Sequence, residues 1–169
     1  MLEIGQDWKI AALRVSKCVC LFLWLGDIMK HENYMNEALK LAYKAYKKNE
    51  VPIGCIIVKN NKIIAKAYNK KNKKNISVYH AEILTIIKAC KKLKSWHLDD
   101  CILYTTLEPC VMCSSAIEQS RISQVVFGTK NIQMSGEKYF NNINVINLEN
   151  KECGELLKKF FKNKRKSNN

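Results

Sequence analysis

Tyr79-His80-Ala81-Glu82-Ile83 and Glu108-Pro109-Cys110-Val111-Met112-Cys113 are the two stretches on which the reading of this chain turns. One imidazole, His80, and two thiolates, Cys110 and Cys113, make a three-ligand zinc site with the fourth position left for water, the arrangement that distinguishes catalytic from structural zinc. Two residues separate the cysteines, so both thiolates can turn toward one ion at the start of a helix. Glu82 lies two residues beyond His80, near enough to serve the metal's water without being a ligand.

Histidine-x-glutamate followed by proline-cysteine-x-x-cysteine is the known signature of zinc-dependent nucleobase deaminases. In that chemistry zinc lowers the pKa of its water from 15.7 toward roughly 7. Glu82 then serves as base and acid in turn, taking the water proton, delivering one to the ring nitrogen and assisting the departure of ammonia. A structural zinc site is the competing reading. It would require a fourth protein ligand, for which Glu108 or another cysteine is the candidate.

Working outward, residues from about Glu32 to Lys48 place Tyr34, Ala38, Leu41, Ala42 and Ala45 at helical spacing between lysines, an amphipathic helix that ends before Val51-Pro52. Ile53 to Val58 and Lys62 to Tyr68 form a hairpin about Asn60-Asn61. Asn69 to Asn75 reads as a polar basic loop, either a solvated connection or a phosphate-contacting rim. A helix begins at His80 and runs toward Leu93, with Ile83, Leu84, Ile86, Ile87 and Cys90 available to the core. Cys101 to Thr105 is a third strand, and Pro109 suits the start of the cysteine-bearing helix. Val125 to Phe127 and Ile143 to Leu148 complete the strands. A last helix over Glu152 to about Phe161 ends in a basic tail, either solubilising or nucleic-acid-contacting.

At 169 residues the chain has room for one ordinary domain with a core that needs no disulfides. Twenty-nine basic residues against 15 acidic give a formal charge of +14, which favours an anionic partner, nucleic acid or membrane surface; a compositional bias toward Lys and Asn is the competing explanation. The spacing of the eight cysteines is irregular, so a reduced, cytoplasmic chain is expected rather than a disulfide framework. Residues 1–29 form an N-terminal extension, and residues 30–169 a zinc-dependent deaminase domain with the basic tail. Within the extension, Lys9, Arg14 and Lys17 precede the apolar run Cys18 to Leu25, too short to span a bilayer and without a cleavage site after it. A dispensable extension with Met29 as the true start, a targeting segment and a docking element all remain open, and no stable membrane span is expected.

Beyond the metal motif, Glu50-Val51-Pro52-Ile53-Gly54, Tyr68-Asn69, Thr105-Thr106-Leu107-Glu108 and Ser120-Arg121-Ile122 through Gly128 are similar to the bacterial tRNA adenosine deaminase family, across roughly Tyr34 to Arg165. That resemblance implies an α/β fold, a cytidine-deaminase-like three-layer sandwich with a mixed five-stranded sheet. It implies one zinc ion per subunit, a homodimer whose subunits shape each other's RNA cleft, and a tRNA anticodon stem-loop as substrate, with wobble adenosine converted to inosine. It further implies base or ribose contacts by Asn69 and the Ala81 backbone. Asn131 stands where the family commonly has aspartate near the substrate backbone, and the interval from Gly136 to Cys153 is shorter than in the familiar bacterial form. The alternatives are a zinc deaminase of a free base, nucleoside or nucleotide, and a catalytically silent RNA-binding or partner subunit.

Overall fold

Asn60 and Asn61, both at positive φ (48° and 59°), join strand β1 (Gly54–Lys59) to β2 (Lys62–Tyr68). Asparagine tolerates the left-handed region that a tight two-residue hairpin turn demands. In this structure, a computed structural model, residues 29–167 are described. The apolar run Cys18 to Leu25 and nearly all of the expected extension lie outside them. The unit beginning at Tyr34 carries every strand among the described residues.

Helix α1 covers 29–46; after the hairpin come α2 (Lys71–Lys74), α3 (Ala81–Leu93), β3 (Cys101–Thr105) and α4 (Val111–Gln119). The chain closes with β4 (Gln124–Phe127), a 3-10 turn at Glu137–Tyr139, β5 (Asn144–Asn147) and α5 (Lys151–Ser167). The five strands lie in the order β2-β1-β3-β4-β5. β1 pairs antiparallel with β2 and β3, whereas β3–β4 and β4–β5 are parallel. The sheet is therefore mixed, as expected.

Alternation along the strands sorts the core into two sides of the sheet. Cys55, Ile57, Leu103 and Val125 pack with Ala81, Ile86, Ala89 and Ile117 of α3 and α4. Ile56, Val58, Tyr104 and Val126 pack with Met35, Ala38, Leu39 and Ala42 of α1 and with Cys153 and Leu156 of α5. Helices thus cover both faces, giving three layers. Burying an aliphatic side chain of this kind contributes about 1.5–3 kcal/mol, so both faces are needed to hold the central strands.

Several elements differ in detail from their sequence expectations. The buried stripe of α1 is Met35, Ala38, Leu39, Ala42 and Ala45, with Tyr34 and Leu41 only half-buried. Its small residues face Gly54, where a Cβ would lie 2.0 Å from the Ala38 carbonyl oxygen and 2.7 Å from the Ala42 nitrogen. The helix seats directly on the strand there, and this close approach sets its rotation. Ile87 is 42% exposed, because Ala81, Thr85, Ile86 and Ala89 form the inward stripe of α3. The basic loop contains the one-turn helix α2, and α5 continues through the basic tail to Ser167. Among the described residues no helix is long and apolar enough to cross a membrane.

Candidate metal centre and active site

The site forms where two helices begin on the same side of the sheet. His80 is the N-cap of α3 and Cys110 the N-cap of α4, both with extended backbone (φ −71°, ψ 155° and φ −75°, ψ 169°). Pro109 therefore precedes the cap rather than opening the helix. Cys113 follows in the first turn of α4 and is fully buried. Helix N-termini favour negative charge, so both starts support thiolates.

His80 Nδ1 lies 3.7 Å from Cys110 Sγ and 3.5 Å from Cys113 Sγ, and the three ligand atoms all fall within 4.8 Å of one another. Bond lengths of about 2.0–2.3 Å around a tetrahedral zinc place ligand atoms roughly 3.3–3.8 Å apart, so the donor set and its spacing fit that ion. Cys110 is held down to about 4, first by the hydrogen bond from Cys113 and also by His80, while Cys113 is pushed far up by the same partner. The hydrogen bond with Cys110 raises His80. Without metal the pair thus shares a proton that an incoming cation displaces.

Glu82, in the first turn of α3, is 3% exposed. One of its carboxylate oxygens has no hydrogen-bond partner, and burial pushes its pKa up to about 7. Its other interactions include a hydrogen bond with Cys113, which puts the carboxyl beside the donor set. Ala81, fully buried between His80 and Glu82, is held by Thr85, whose hydroxyl donates to the Ala81 carbonyl at 2.7 Å.

Glu108 is turned away from the donor set. Buried to 2% exposure, it accepts from the Ser135 hydroxyl, from the Asn131 backbone at 2.9 Å and from the Glu137 backbone at 3.4 Å. It organises the loop rather than supplying the fourth ligand of a structural zinc site. Gly136 completes the arrangement, donating to the Pro109 carbonyl at 3.0 Å, where a Cβ would meet Ser114 Oγ at 2.2 Å. Asn131 Oδ1 accepts from the Met134 backbone at 3.1 Å, so its side chain closes its own loop.

Asn69, at the end of β2, is 3% exposed and donates its amide to Glu50 at 3.2 Å. Glu50 also accepts from the Asn72 and Lys73 backbones at 3.1 and 2.5 Å. The carboxylate therefore both orients Asn69 and caps the first turn of α2. The Lys70 backbone donates to the Tyr79 carbonyl at 3.0 Å, bringing this region beside His80. Sequence reasoning assigned Glu50 no role and offered Glu108 only as a ligand. The available signal was an acidic residue next to a proline-bearing turn in a strongly basic chain.

The fold and donor set together define a hydrolase of the zinc deaminase class. Residues 28–129 match the family described as the cytidine and deoxycytidylate deaminase zinc-binding region. The chain is 41% identical to the tRNA-specific adenosine deaminase of Bacillus subtilis over 146 residues, covering 80% of this chain and 91% of that protein. With the tRNA-specific adenosine deaminase of Aquifex aeolicus it shares 40% identity over 144 residues, 79% and 95% of the two chains. A solved structure from a study of A-to-I editing by tRNA:A34 deaminases at the wobble position of transfer RNA superposes with a TM-score of 0.70 at 31% identity, covering 75% of this chain and 99% of that one. A guanine deaminase structure from Bacillus subtilis gives a TM-score of 0.58 at 35% identity over 68% and 71%. The chain belongs to the zinc-dependent cytidine and deoxycytidylate deaminase family and, within it, to the tRNA-specific adenosine deaminases.

Proposed function

We propose that this protein hydrolyses the wobble adenosine of a tRNA anticodon loop to inosine and ammonia. The observation that carries the chemistry is the buried, half-unpartnered carboxylate of Glu82 beside His80, Cys110 and Cys113. His80, Cys110 and Cys113 would hold zinc, which when bound would supply Lewis-acid activation of a water for attack on the ring carbon bearing the amine. Glu82 accepts a proton from that water, donates one to the ring nitrogen and assists the leaving ammonia, a role for which its unpartnered carboxylate oxygen beside the donor set is placed. Burial keeps bulk water from competing for its proton.

Asn69 and the Ala81 backbone are assigned to the base and ribose, and Asn131 to the rim near the substrate backbone. Glu50 supports the first assignment by fixing the Asn69 amide, and Glu108 supports the last by shaping the loop. An anticodon loop already exposes its bases, so base extrusion needs less unstacking than in a duplex. We further assign a homodimer in the reducing cytoplasm. Val111, Met112, Ile132 and Met134 expose apolar surface at the start of α4 and on the adjoining loop, and a second copy would cover it. All six cysteines among the described residues are free thiols.

The test is inosine formation in an adenosine-containing anticodon stem-loop, with zinc-loaded protein beside Glu82→Gln. Product from the unmodified protein alone supports the reading. Retained turnover in the variant removes Glu82 from the mechanism. Similarity to guanine deaminase makes free bases the second substrate class to assay. Ammonia release from those, with none from RNA, would overturn the tRNA assignment. Inactivity alone with rescue by a second deaminase-like chain would indicate a partner subunit.

A further inference from the structure

Three lysine ammonium groups gather over one tyrosine ring beside the site. Lys70, Lys48 and Lys44 place their Nζ atoms 5.2, 5.6 and 5.8 Å from the Tyr68 ring centroid. Lys70 follows Tyr68 closely in sequence, just after β2, whereas Lys44 of α1 and Lys48 of the turn after it are brought to the same ring by the fold. Lys88 of α3 adds a fourth charge nearby. Its pKa is lowered first by burial and then by the Lys70 charge, and its ammonium donates to the Lys66 carbonyl at 2.8 Å. The Tyr68 hydroxyl is hydrogen-bonded by Lys48, which lowers its pKa.

Among the described residues none of these four lysines forms an ion pair. The nearby carboxylate, Glu50, accepts from Asn69, Asn72 and the Lys73 backbone and from no lysine side chain. Cation–π contacts at an exposed site are individually weak, and no carboxylate among the described residues offsets the positive charge gathered about this ring. The cluster thus carries unneutralised positive charge, which an anion beside the ring would offset. Tyr68 immediately precedes Asn69, and Lys70 is tied through its backbone to Tyr79, the neighbour of His80.

Resting on the tRNA reading above, we propose that Lys44, Lys48 and Lys70 around Tyr68 form a backbone-phosphate site for the RNA strand flanking the target nucleotide. The ring spaces the three ammonium groups, and they engage phosphodiester oxygens without reading a base. The site therefore contributes affinity and register rather than sequence choice.

The experiment compares zinc-loaded wild-type protein, the triple variant K44Q/K48Q/K70Q and a charge-matched control, K91Q/K92Q/K94Q, at and just beyond the far end of α3. Stem-loop affinity is measured over a salt series, with circular dichroism and zinc content verifying the fold. The cluster variant is expected to bind at least tenfold more weakly and to lose about 2 from the slope of log affinity against log salt, at roughly 0.7 per single-strand phosphate contact. The control keeps most of both. Turnover at saturating RNA stays near wild type in the cluster variant, with the loss in KM. Equal losses in both variants, or none in the cluster variant, overturn the proposal while wild-type inosine formation leaves the tRNA reading standing. Absence of stem-loop binding and of inosine in wild type overturns the tRNA reading itself.

Discussion

Two buried glutamates flank the chemistry and do different work. Glu108 accepts hydrogen bonds from three groups of the loop after β4 and none from the metal ligands. Glu108→Gln should therefore retain one zinc per chain by metal analysis while losing about 1–3 kcal/mol of stability, because a neutral amide leaves buried donors poorly satisfied. A drop in zinc content would instead make it a ligand. Glu82 offers a pH signature in zinc-stripped protein. Burial raises its folded-state pKa from 4.5 to about 7, so between those values the folded state binds more protons than the unfolded one, and its contribution to stability falls as pH rises. Cys110, shifted the opposite way, obscures this in wild type alone. The difference in melting temperature between Glu82→Gln and wild type should accordingly grow from pH 4.5 to 7 and then level off.

At the scale of elements, Gly54 is where α1 and β1 meet. Gly54→Ala places a methyl group against backbone atoms that have no rotamer to yield. Overpacking of this kind costs about 1–3 kcal/mol or more, visible in thermal denaturation with zinc bound. The central strands were legible as short apolar runs because helices bury both of their faces, α3 and α5 from the apolar residues available to the core, and α4 from Pro109 and the spacing of its cysteines. α2 was not. Its residues, Lys-Asn-Lys-Lys, bury nothing, and its first turn is capped by a carboxylate from another segment. The rotation of α1 was also hidden, since it depends on a glycine in a different element. At the site, residue spacing was enough to nominate His80, Cys110 and Cys113, which the fold brings together, whereas the supporting roles of Glu50 and Glu108 exist only through tertiary hydrogen bonds. The substrate contacts given to Asn69, Ala81 and Asn131 came from family likeness, and the Asn131 side chain proves to be occupied with Met134.

For the molecule as a whole, the donor set joins the starts of α3 and α4, so metal binding and folding are coupled. Chelating zinc should abolish turnover and lower the melting temperature. A ligand at a thousand times its dissociation constant stabilises by about 4 kcal/mol, which corresponds to roughly 8–16 °C for a chain of this size. Readdition of zinc should restore both. The order of the strands carries one more consequence. Among the described residues β2 ends the sheet with no strand beyond it, and its exposed positions include Lys62 and Lys66. An incoming strand of an identical chain would have to align like charges along that border, a known safeguard against templated fibre growth.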